Sequence, residues 1–189
     1  VINNGDSLTN DPNVTLTNAV ADAVEMRFSD DGVVWSAPVP FAGTFGWTLP
    51  LIDGAQTVYG EFFDAVGNLL QVQDTITLDS TAPTGDFVIN NDEALTNNTV
   101  VTLSNAVLGA VEMRFSNTMG DFTAPESAWQ SYAMALAWTV NAGDGARTVY
   151  AQFRDTAGNV LDVDDVINLD MTAPAAAFVV NGDDAFTNN

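Results

Sequence analysis

Hydrophobic and polar residues alternate along most of this chain, which is the pattern of a β-strand with one buried and one solvated face. In "AVEMRFS" at 23–29, Val24, Met26 and Phe28 are separated by polar residues and are predicted to face inward. The stretch "RTVYAQFRD" at 147–155 alternates in the same way. No segment has the 3.6-residue period of a helix, so we expect an all-β protein. The inward-facing set predicted for the second stretch is Val149, Ala151 and Phe153.

The first part of the chain divides into short strands separated by turn sequences. Turns rich in Gly, Asp, Asn and Pro, such as "DDG", "PLIDG" and "DAVGN", separate the apolar-periodic stretches. Seven short strands within about 90 residues predict an immunoglobulin-like β-sandwich. The predicted strands are 1–4, 14–17, 23–28, 37–41, 45–49, 56–63 and 69–78.

The same module occurs twice and begins a third time. The stretch "VINNGDSLTN" starts at Val1, "VINNDEALTN" starts at Val88, and "VVNGDDAFTN" starts at Val179, giving steps of 88 − 1 = 87 and 179 − 88 = 91 residues. We therefore predict tandem sandwiches of about seven strands each. The predicted boundaries are 1–80 for module one, whose first strand lacks its start, 81–171 for module two, and 172–189 for the first strand of a third module.

Charge and composition narrow the function. The chain has 25 acidic and 4 basic residues and a net charge of −21, which disfavours nucleic acid and anionic membrane surfaces as partners. It contains no Lys, His or Cys, so disulfides, zinc–thiolate sites, imidazole bases and Schiff bases are excluded. No apolar run of about 18 residues is present to cross a bilayer, so membrane insertion is not expected. The remaining oxygen ligands suit a hard cation such as Ca²⁺.

Four recurring sequence features carry a resemblance to a known family. They are a Tyr-bearing strand, a D-x-x-G-N turn, a last strand ending in D-x-I-x-L-D, and a T-A-P linker, at 59, 64–68, 74–79 and 81–83 and again at 150, 155–159, 165–170 and 172–174. Together they resemble the bacterial immunoglobulin-like tandem repeats of large cell-surface and secreted proteins, including adhesin-type extender repeats. The resemblance implies an extracellular spacer or adhesive rod whose partners are adjacent copies of the repeat.

The topology of such a sandwich predicts an acidic joint between modules. Asp79 leaves the last strand beside the turn carrying Asp53, and the turn carrying Asp155 faces them from module two. Two carboxylates about 4 Å apart repel by roughly 4 kcal/mol at an effective dielectric of 20, so convergent acids call for a cation. We therefore predict Ca²⁺ at this joint, and at the next one through Asp144 and Asp170. If the acids instead point into water, screening removes the need for metal.

The aspartates of the two D-x-x-G-N turns have two competing interpretations. Asp64 and Asp155, in the D-x-x-G-N turns, either accept backbone N–H groups while Gly67 and Gly158 adopt positive φ, or ligate Ca²⁺. In "DVDD" at 162–165, Asp165 is expected to be structural because it recurs as Asp74. Alternation leaves Asp162 and Asp164 on the solvated face.

The aromatic residues raise the possibility of sugar stacking. Trp47 and Trp138 recur at one module position within a strand, which favours a core role. Trp129 matches Pro38 and follows a four-residue insertion near 123–127, so it is the candidate for ligand contact. Two N-x-T sequons, at Asn13 and Asn97, are candidate glycosylation sites.

These observations predict a non-enzymatic, extracellular spacer repeat of a large surface or filament-forming protein. An acid pair is the sole catalytic machinery available, and a sandwich of about 90 residues is small for a catalytic cleft. The alternatives are an adhesive or carbohydrate-binding module that binds surface glycan, and a filament subunit that assembles by strand donation to neighbouring subunits.

Overall fold

The computed structural model of this chain describes residues 1–178. Within that range the chain forms fifteen strands and two 3₁₀ turns, at Asn3–Gly5 and Pro125–Ser127. The strands of module one are β1 Leu8–Thr9, β2 Asn13–Thr17, β3 Glu25–Ser29, β4 Val39–Pro40, β5 Thr44–Thr48, β6 Gly54–Phe63 and β7 Leu69–Leu78. The strands of module two are β8 Thr84–Ile89, β9 Leu95–Thr96, β10 Val100–Leu108, β11 Glu112–Ser116, β12 Gln130–Ser131, β13 Ala135–Thr139, β14 Gly145–Arg154 and β15 Val160–Leu169.

Both modules place their strands in two sheets, and the strands that they share have the same order, while the second sheet of module two has one more strand, β8. In module one the sheets are β1-β7-β6-β3-β4 and β2-β5, and in module two they are β12-β11-β14-β15-β9 and β13-β10-β8. All pairs are antiparallel except the edge pairs β1–β7 and β9–β15, which are parallel. The expected all-β architecture of two tandem immunoglobulin-like sandwiches is confirmed.

Each module has its own aromatic core between its two sheets. The alternation predicted for β14 is confirmed, because Val149, Ala151 and Phe153 are all buried. The central residue of module two is Phe115, whose ring lies 5.7 Å from Phe87 and 5.8 Å from Phe153, both edge to face. Such offset aromatic pairs stabilise a core beyond the area that they bury.

The predicted orientation of Val24 and its repeat Val111 is wrong. Their side chains are 48% and 42% exposed, whereas Met26 and Phe28 are buried as expected. The strands begin at Glu25 and Glu112, one residue after each valine. The valines therefore precede the strands, and the alternation does not apply to them.

The strand predicted at 1–4 is also wrong. Ile2 forms one isolated bridge to Leu16, and the chain then enters a 3₁₀ turn. Asn3, Asn4 and Gly5 have φ values of 43°, 59° and 95°, which are left-handed and incompatible with a strand. The equivalent strand is present in module two as β8, to which residues 84–87 of the "TAPTGDF" segment contribute four of the six residues.

The predicted first strand of a third module falls mostly outside the described part. Residues 172–178 carry no regular secondary structure, and residues 179–189 lie outside the described residues. Among the described residues, no helix has the length and apolar character needed to cross a membrane.

Candidate functional site

The joint, defined as residues 79–83 between β7 and β8, is held by hydrogen bonds to module one. One carboxylate oxygen of Asp53 accepts the backbone N–H of Ser80 at 2.8 Å and the Ser80 hydroxyl at 2.7 Å. The other oxygen accepts the hydroxyl of Thr81. Asp79 extends the pairing of β7 with β1 by one residue, because its N–H donates to the carbonyl of Thr9 at 2.9 Å. Both oxygens of Asp53 therefore fix the first residues of the joint.

Module two holds the same joint from the other side. The Asn159 side chain, in the D-x-x-G-N turn, donates to the backbone carbonyl of Asp79 at 2.7 Å. A methyl group placed on Gly158 would lie 3.7 Å from the amide nitrogen of Asn10, which belongs to module one. Pro83 is buried at the end of the joint. The turn that carries Asp155 thus lies against module one, where the topology predicted it.

The arrangement recurs at the end of module two. Asp144 accepts the N–H of Met171 at 2.7 Å and the hydroxyl of Thr172 at 2.5 Å, as Asp53 does with Ser80 and Thr81. Asp170 donates its N–H to the carbonyl of Thr96 at 2.9 Å. The repeated sequence therefore produces the same local bonds at both module ends.

These hydrogen bonds lower the pKa values of the two repeated aspartates. The Thr81 hydroxyl, followed by the Ser80 N–H and hydroxyl, holds the pKa of Asp53 below its usual value. The Thr172 hydroxyl and the Met171 N–H lower the pKa of Asp144, with a further contribution from the positive charge of Arg147. Both carboxylates are exposed, so the burial penalty on their charged forms is small and the hydrogen-bond donors decide the direction of the shift.

The turn hydrogen bonds that the structural interpretation requires are present in both D-x-x-G-N turns, and calcium binding by Asp64 and Asp155 stays a prediction. Asp64 accepts the backbone N–H groups of Val66 and Asn68 at 2.9 and 2.8 Å, and its other oxygen accepts the Asn68 side chain at 2.7 Å. In the second turn Asp155 accepts the N–H groups of Gly158 and Asn159 at 2.8 and 2.9 Å. The glycines have φ values of 88° at Gly67 and 92° at Gly158, as expected.

The structure brings the predicted joint segments together without grouping their carboxylates. Within residues 1–178, no set of three or more acidic residues is arranged to hold a metal ion. A calcium ion at the joint would draw on fewer than three acids, supplemented by neutral oxygens such as the Asp79 carbonyl. Carboxylate, carbonyl and hydroxyl oxygens are ligands that Ca²⁺ accepts. Calcium at the joint stays a prediction.

Asp165 is structural, as its recurrence indicates. Its carboxylate accepts the N–H of Ile89 at 2.7 Å and the N–H of Val166 at 2.8 Å. Asp162 and Asp164, which alternate away from it, are exposed as expected. Asp162 also accepts the Gln152 side-chain amide at 2.6 Å on the outer face of the sheet.

Trp129 stacks on two arginines of the module-two sheet. The guanidinium carbons of Arg114 and Arg154 lie 4.4 and 4.2 Å from the centre of its ring. Arg114 also lies 4.6 Å from the ring of Phe122, and Arg154 forms an ion pair with Glu112 at 2.6 Å. Burial lowers the pKa of Arg114, and the charge of Arg154 lowers it further. Alternation alone could not reveal this stack, because Trp129 lies outside the strands, in the segment that follows the insertion near 123–127.

A shallow groove of about 530 Å³ lies beside this stack. Arg114, Phe122, Tyr150 and Gln152 contribute to its walls together with the exposed acids of β15. The Nε of Arg114 donates to the Gln152 side-chain oxygen at 2.7 Å, so the polar groups of the groove largely bond to one another. Trp129, the residue predicted to contact a ligand, does not line this groove, and glycan binding stays a prediction.

Trp47 and Trp138 belong to the cores, as predicted. Trp138 is 8% exposed and Trp47 is partly buried against the core of module one. Their indole N–H groups donate to equivalent positions, Asn117 at 2.9 Å and Asp30 at 2.7 Å. Each core Trp is therefore fixed by one polar contact at the sandwich edge.

The two sequons occupy exposed positions near the start of the second long strand of each module. Asn13 is the first residue of β2, and its side-chain oxygen accepts the Thr48 hydroxyl at 3.0 Å. Asn97 lies in the loop between β9 and β10. Glycosylation at these positions stays a prediction.

Comparison with solved structures identifies the fold. The chain is similar to the fibronectin(III)-like modules of Clostridium thermocellum CbhA, with a TM-score of 0.52 and 10% identity over 89% of this chain and 92% of that one. It also matches a tetra-tandem repeat from the extending region of a large adhesion protein, with a TM-score of 0.35 and 20% identity over 90% of this chain and 48% of that one. A 1.5-MDa bacterial ice-binding adhesin gives 0.42 and 16% over 88% of this chain and 60% of that one.

Only the first of these three similarities exceeds a TM-score of 0.5, and it shows an immunoglobulin-like or fibronectin-like β-sandwich. The chain spans about half the length of the tetra-tandem adhesin structure. No protein-family model and no curated protein matches the chain.

Proposed function

We propose that this chain is a structural segment of an extracellular repeat protein, in which successive sandwiches are held at a defined angle by the joint. The observation that carries the proposal is the bonding of the joint from both modules. Asp53 of module one binds Ser80 and Thr81, and Asn159 of module two binds Asp79. A linker that is hydrogen-bonded to both modules holds one module at a fixed orientation relative to the other, whereas a flexible linker does not.

The joint is short as well as bonded. Five residues span at most about 17 Å when fully extended, so the two modules remain close in any conformation. Pro83 is buried and has a fixed φ, which removes one more degree of freedom. A short, bonded and Pro-containing connection is typical of a rod rather than of beads on a flexible string.

Repetition extends the argument from one joint to an array. The Asp144 contacts reproduce the Asp53 contacts at the end of module two. When every joint has the same geometry, each added module is placed by the same rotation and translation. The length of the rod then depends on its number of modules. The net charge of −21 opposes collapse of such an array on itself.

The extracellular, non-enzymatic assignment has separate support. The T-A-P linker and the D-x-x-G-N turn resemble repeats of bacterial surface proteins, which act as spacers. The chain also contains no Lys, His or Cys to act as base or nucleophile. Calcium at the joint is part of this proposal, as an additional contribution to stiffness.

The test measures the distribution of distances between the modules. The chain has no Cys, so cysteines introduced at the exposed and equivalent positions Thr15 and Thr102 can carry spin labels. We expect a narrow distance distribution in the parent chain, because the joint fixes the angle. Asp53→Ala and Asn159→Ala should each broaden it.

A matched control is built into the repeat. Asp144→Ala removes the equivalent carboxylate at the far end of module two and should leave the distribution unchanged. A parent chain that is already broad, or an Asp53→Ala distribution as narrow as that of the parent, would reject the spacer proposal.

A further inference from the structure

The outer face of one sheet in module two carries a groove that runs along β14. Its principal cavity, of about 530 Å³, is lined by β14, by β15 and by the loop that joins β11 to β12. Tyr150 and Gln152 contribute from β14, Phe122 from the loop and Asp162 from β15. This volume is within the range of about 300–1,000 Å³ that ligand sites occupy.

The groove continues past Tyr150. A second cavity, of about 330 Å³, shares Met119 and Tyr150 with the first and reaches Thr148 on the same strand. Thr148, Tyr150 and Gln152 are outward-facing residues of β14 that alternate with buried ones. The four steps from Thr148 to Gln152 rise about 14 Å, so the groove has the length of a short linear polymer rather than of a single small molecule.

Module one has the same tyrosine under a shorter loop. Tyr59 is the equivalent of Tyr150, and a methyl group placed on Gly32 of the loop would lie 3.6 Å from three atoms of the Tyr59 ring. Gly32 corresponds to Met119, since 119 − 32 = 87 is the repeat step ahead of the insertion. Met119 is 80% exposed. The loop that packs on the tyrosine in module one therefore borders a groove in module two.

A following module does not cover this face of a sandwich. Module two follows module one, and Thr57 and Tyr59 of module one are half-buried, as are their equivalents Thr148 and Tyr150. The face therefore has the same exposure with or without a described neighbour next to it. The groove is a property of module two itself.

The charge beside the groove differs between the modules. In module one, Arg27 forms an ion pair with Glu61 at 2.5 Å, and Glu61 is 7% exposed. In module two, the equivalent Arg114 donates to the neutral side chain of Gln152 instead. Within residues 1–178, Arg114 forms no ion pair and no other hydrogen bond. Its guanidinium therefore has N–H groups available to a ligand.

The groove also offers acceptors. Asp162 and Asp164 line the principal cavity and are exposed. Asp162 accepts the Gln152 amide, whereas Asp164 accepts no hydrogen bond within the part of the chain that the structure describes. Donors and acceptors side by side suit a ligand whose groups both donate and accept, which is the chemistry of hydroxyls. The net charge of −21 disfavours a polyanion.

We infer that this groove binds a neutral polysaccharide chain. The apolar face of a sugar ring packs on the Tyr150 ring, and the hydroxyls at its edge accept from Arg114 and donate to Asp164. Trp129 has an indirect part, because it stacks on Arg114 without lining the groove. The inference adds a lateral adhesive surface to the proposed spacer and does not depend on the stiffness of the joint.

Binding of the whole chain to an array of linear oligosaccharides tests the inference. The array carries neutral and uronate-containing chains of about three to six units, a length that matches the groove. We expect binding to neutral chains and none to uronate chains, because the protein repels polyanions. Calorimetric titration with the neutral oligosaccharide that binds best should give a Kd at least about tenfold lower than that of its monosaccharide, which fills part of the groove.

The repeat supplies a matched pair of variants. Tyr150→Ala should weaken binding by at least about tenfold, the effect expected from the loss of an aromatic stacking contact. Tyr59→Ala removes the equivalent ring from module one, where the loop packs on it, and should leave binding unchanged. Circular dichroism checks that both variants fold.

Another variant changes the charge and keeps every ring. Gln152→Glu gives Arg114 the carboxylate partner that Arg27 has in module one, so module two should still fold. The new ion pair occupies the guanidinium and should weaken binding by at least about fivefold, the effect of losing one hydrogen bond to a charged group.

Four results would overturn the inference: no binding to any neutral chain, a preference for uronate chains, equal losses in Tyr150→Ala and Tyr59→Ala, or an unchanged affinity in Gln152→Glu. The distance distribution across the joint is measured without sugar. Failure of this inference therefore leaves the spacer proposal intact, and a broad distribution leaves this inference intact.

Discussion

The carboxylate of Asp165 accepts the backbone N–H of Ile89 at 2.7 Å and so joins the last strand of module two to the first strand of the opposite sheet. Module one repeats the contact, since Asp74 accepts the N–H of Ile2 at 2.7 Å. An acid placed among inward-facing positions is thereby satisfied by a backbone donor. The contact explains why a charged residue interrupts the apolar alternation of both last strands.

Asp165→Ala should destabilise module two. Hydrogen bonds to charged groups contribute about 1.5–3 kcal/mol, and the N–H of Ile89 would lose its acceptor. We expect a loss near the lower end of that range, because the carboxylate is only half-buried. Urea denaturation measures the change. Asp164→Ala, at the exposed neighbour, should change the free energy of unfolding by less than about 0.5 kcal/mol, and an equal effect of both variants would contradict the assignment.

The stiffness of the joint should depend on pH in the acid range. The donors Thr81 and Ser80 lower the pKa of Asp53 in the folded joint below the unfolded value of about 3.9. A depressed carboxylate contributes above the unfolded pKa, and its contribution is lost as pH falls through the folded pKa. The distance distribution should therefore stay narrow from about pH 7 to about pH 5 and broaden below about pH 4. Broadening centred near neutral pH would exclude Asp53 as its cause.

Calcium at the joint should bind weakly. The charge of the ligand set tunes calcium affinity, and fewer than three acids are grouped among the described residues. We expect added Ca²⁺ to raise the melting temperature with a midpoint of about 10⁻⁴–10⁻³ M, the range of extracellular modules, and EDTA to reverse it. Asp79→Asn and Asp155→Asn should reduce the response. An unchanged melting curve and unchanged scattering dimensions at about 10 mM Ca²⁺ would reject the calcium hypothesis.

Trp129→Ala distinguishes a structural aromatic residue from a ligand-binding one. Each stacked guanidinium contributes about 0.5–1 kcal/mol at an exposed site, so the variant should lower the stability of module two by about 1–2 kcal/mol. Phe122→Ala, which loses one such contact, should have about half the effect. A glycan-array signal of the parent chain that disappears in Trp129→Ala would instead favour the carbohydrate-binding alternative.

The strand pattern was predictable where alternation and repetition acted together. The bounds of β7 match the prediction at 69–78, and β3 was placed to within two residues, because a buried face requires every second residue to be apolar. The two-residue parallel strands β1 and β9 were missed, since segments of that length carry no periodicity. Residues 1–4 were assigned to a strand from their sequence, but a strand needs a partner along its length, and the pairing with β2 ends after Val1 and Ile2, where Asn3 and Asn4 turn away with positive φ.

The same distinction applies to the candidate site: contacts within a short segment were predictable from sequence, and contacts between distant segments were not. The D-x-x-G-N turns were interpretable from sequence because Asp, Gly and Asn act within five consecutive residues. Two contacts were not predictable: Asn159 bonds to Asp79 across 80 positions, and Trp129 stacks on Arg154 from the segment after the insertion. Both depend on where separate elements end in space.

The sequence alone determined that this protein consists of repeated, acidic, all-β modules with recurring Asp-containing ends, because periodicity, repetition and charge are local properties of the chain. Tertiary structure decided what those ends do. It directed the Asp53 carboxylate to Ser80 in the joint and the Asp165 carboxylate to the backbone N–H of Ile89. These outcomes depend on the packing of residues distant in sequence, which no local pattern specifies.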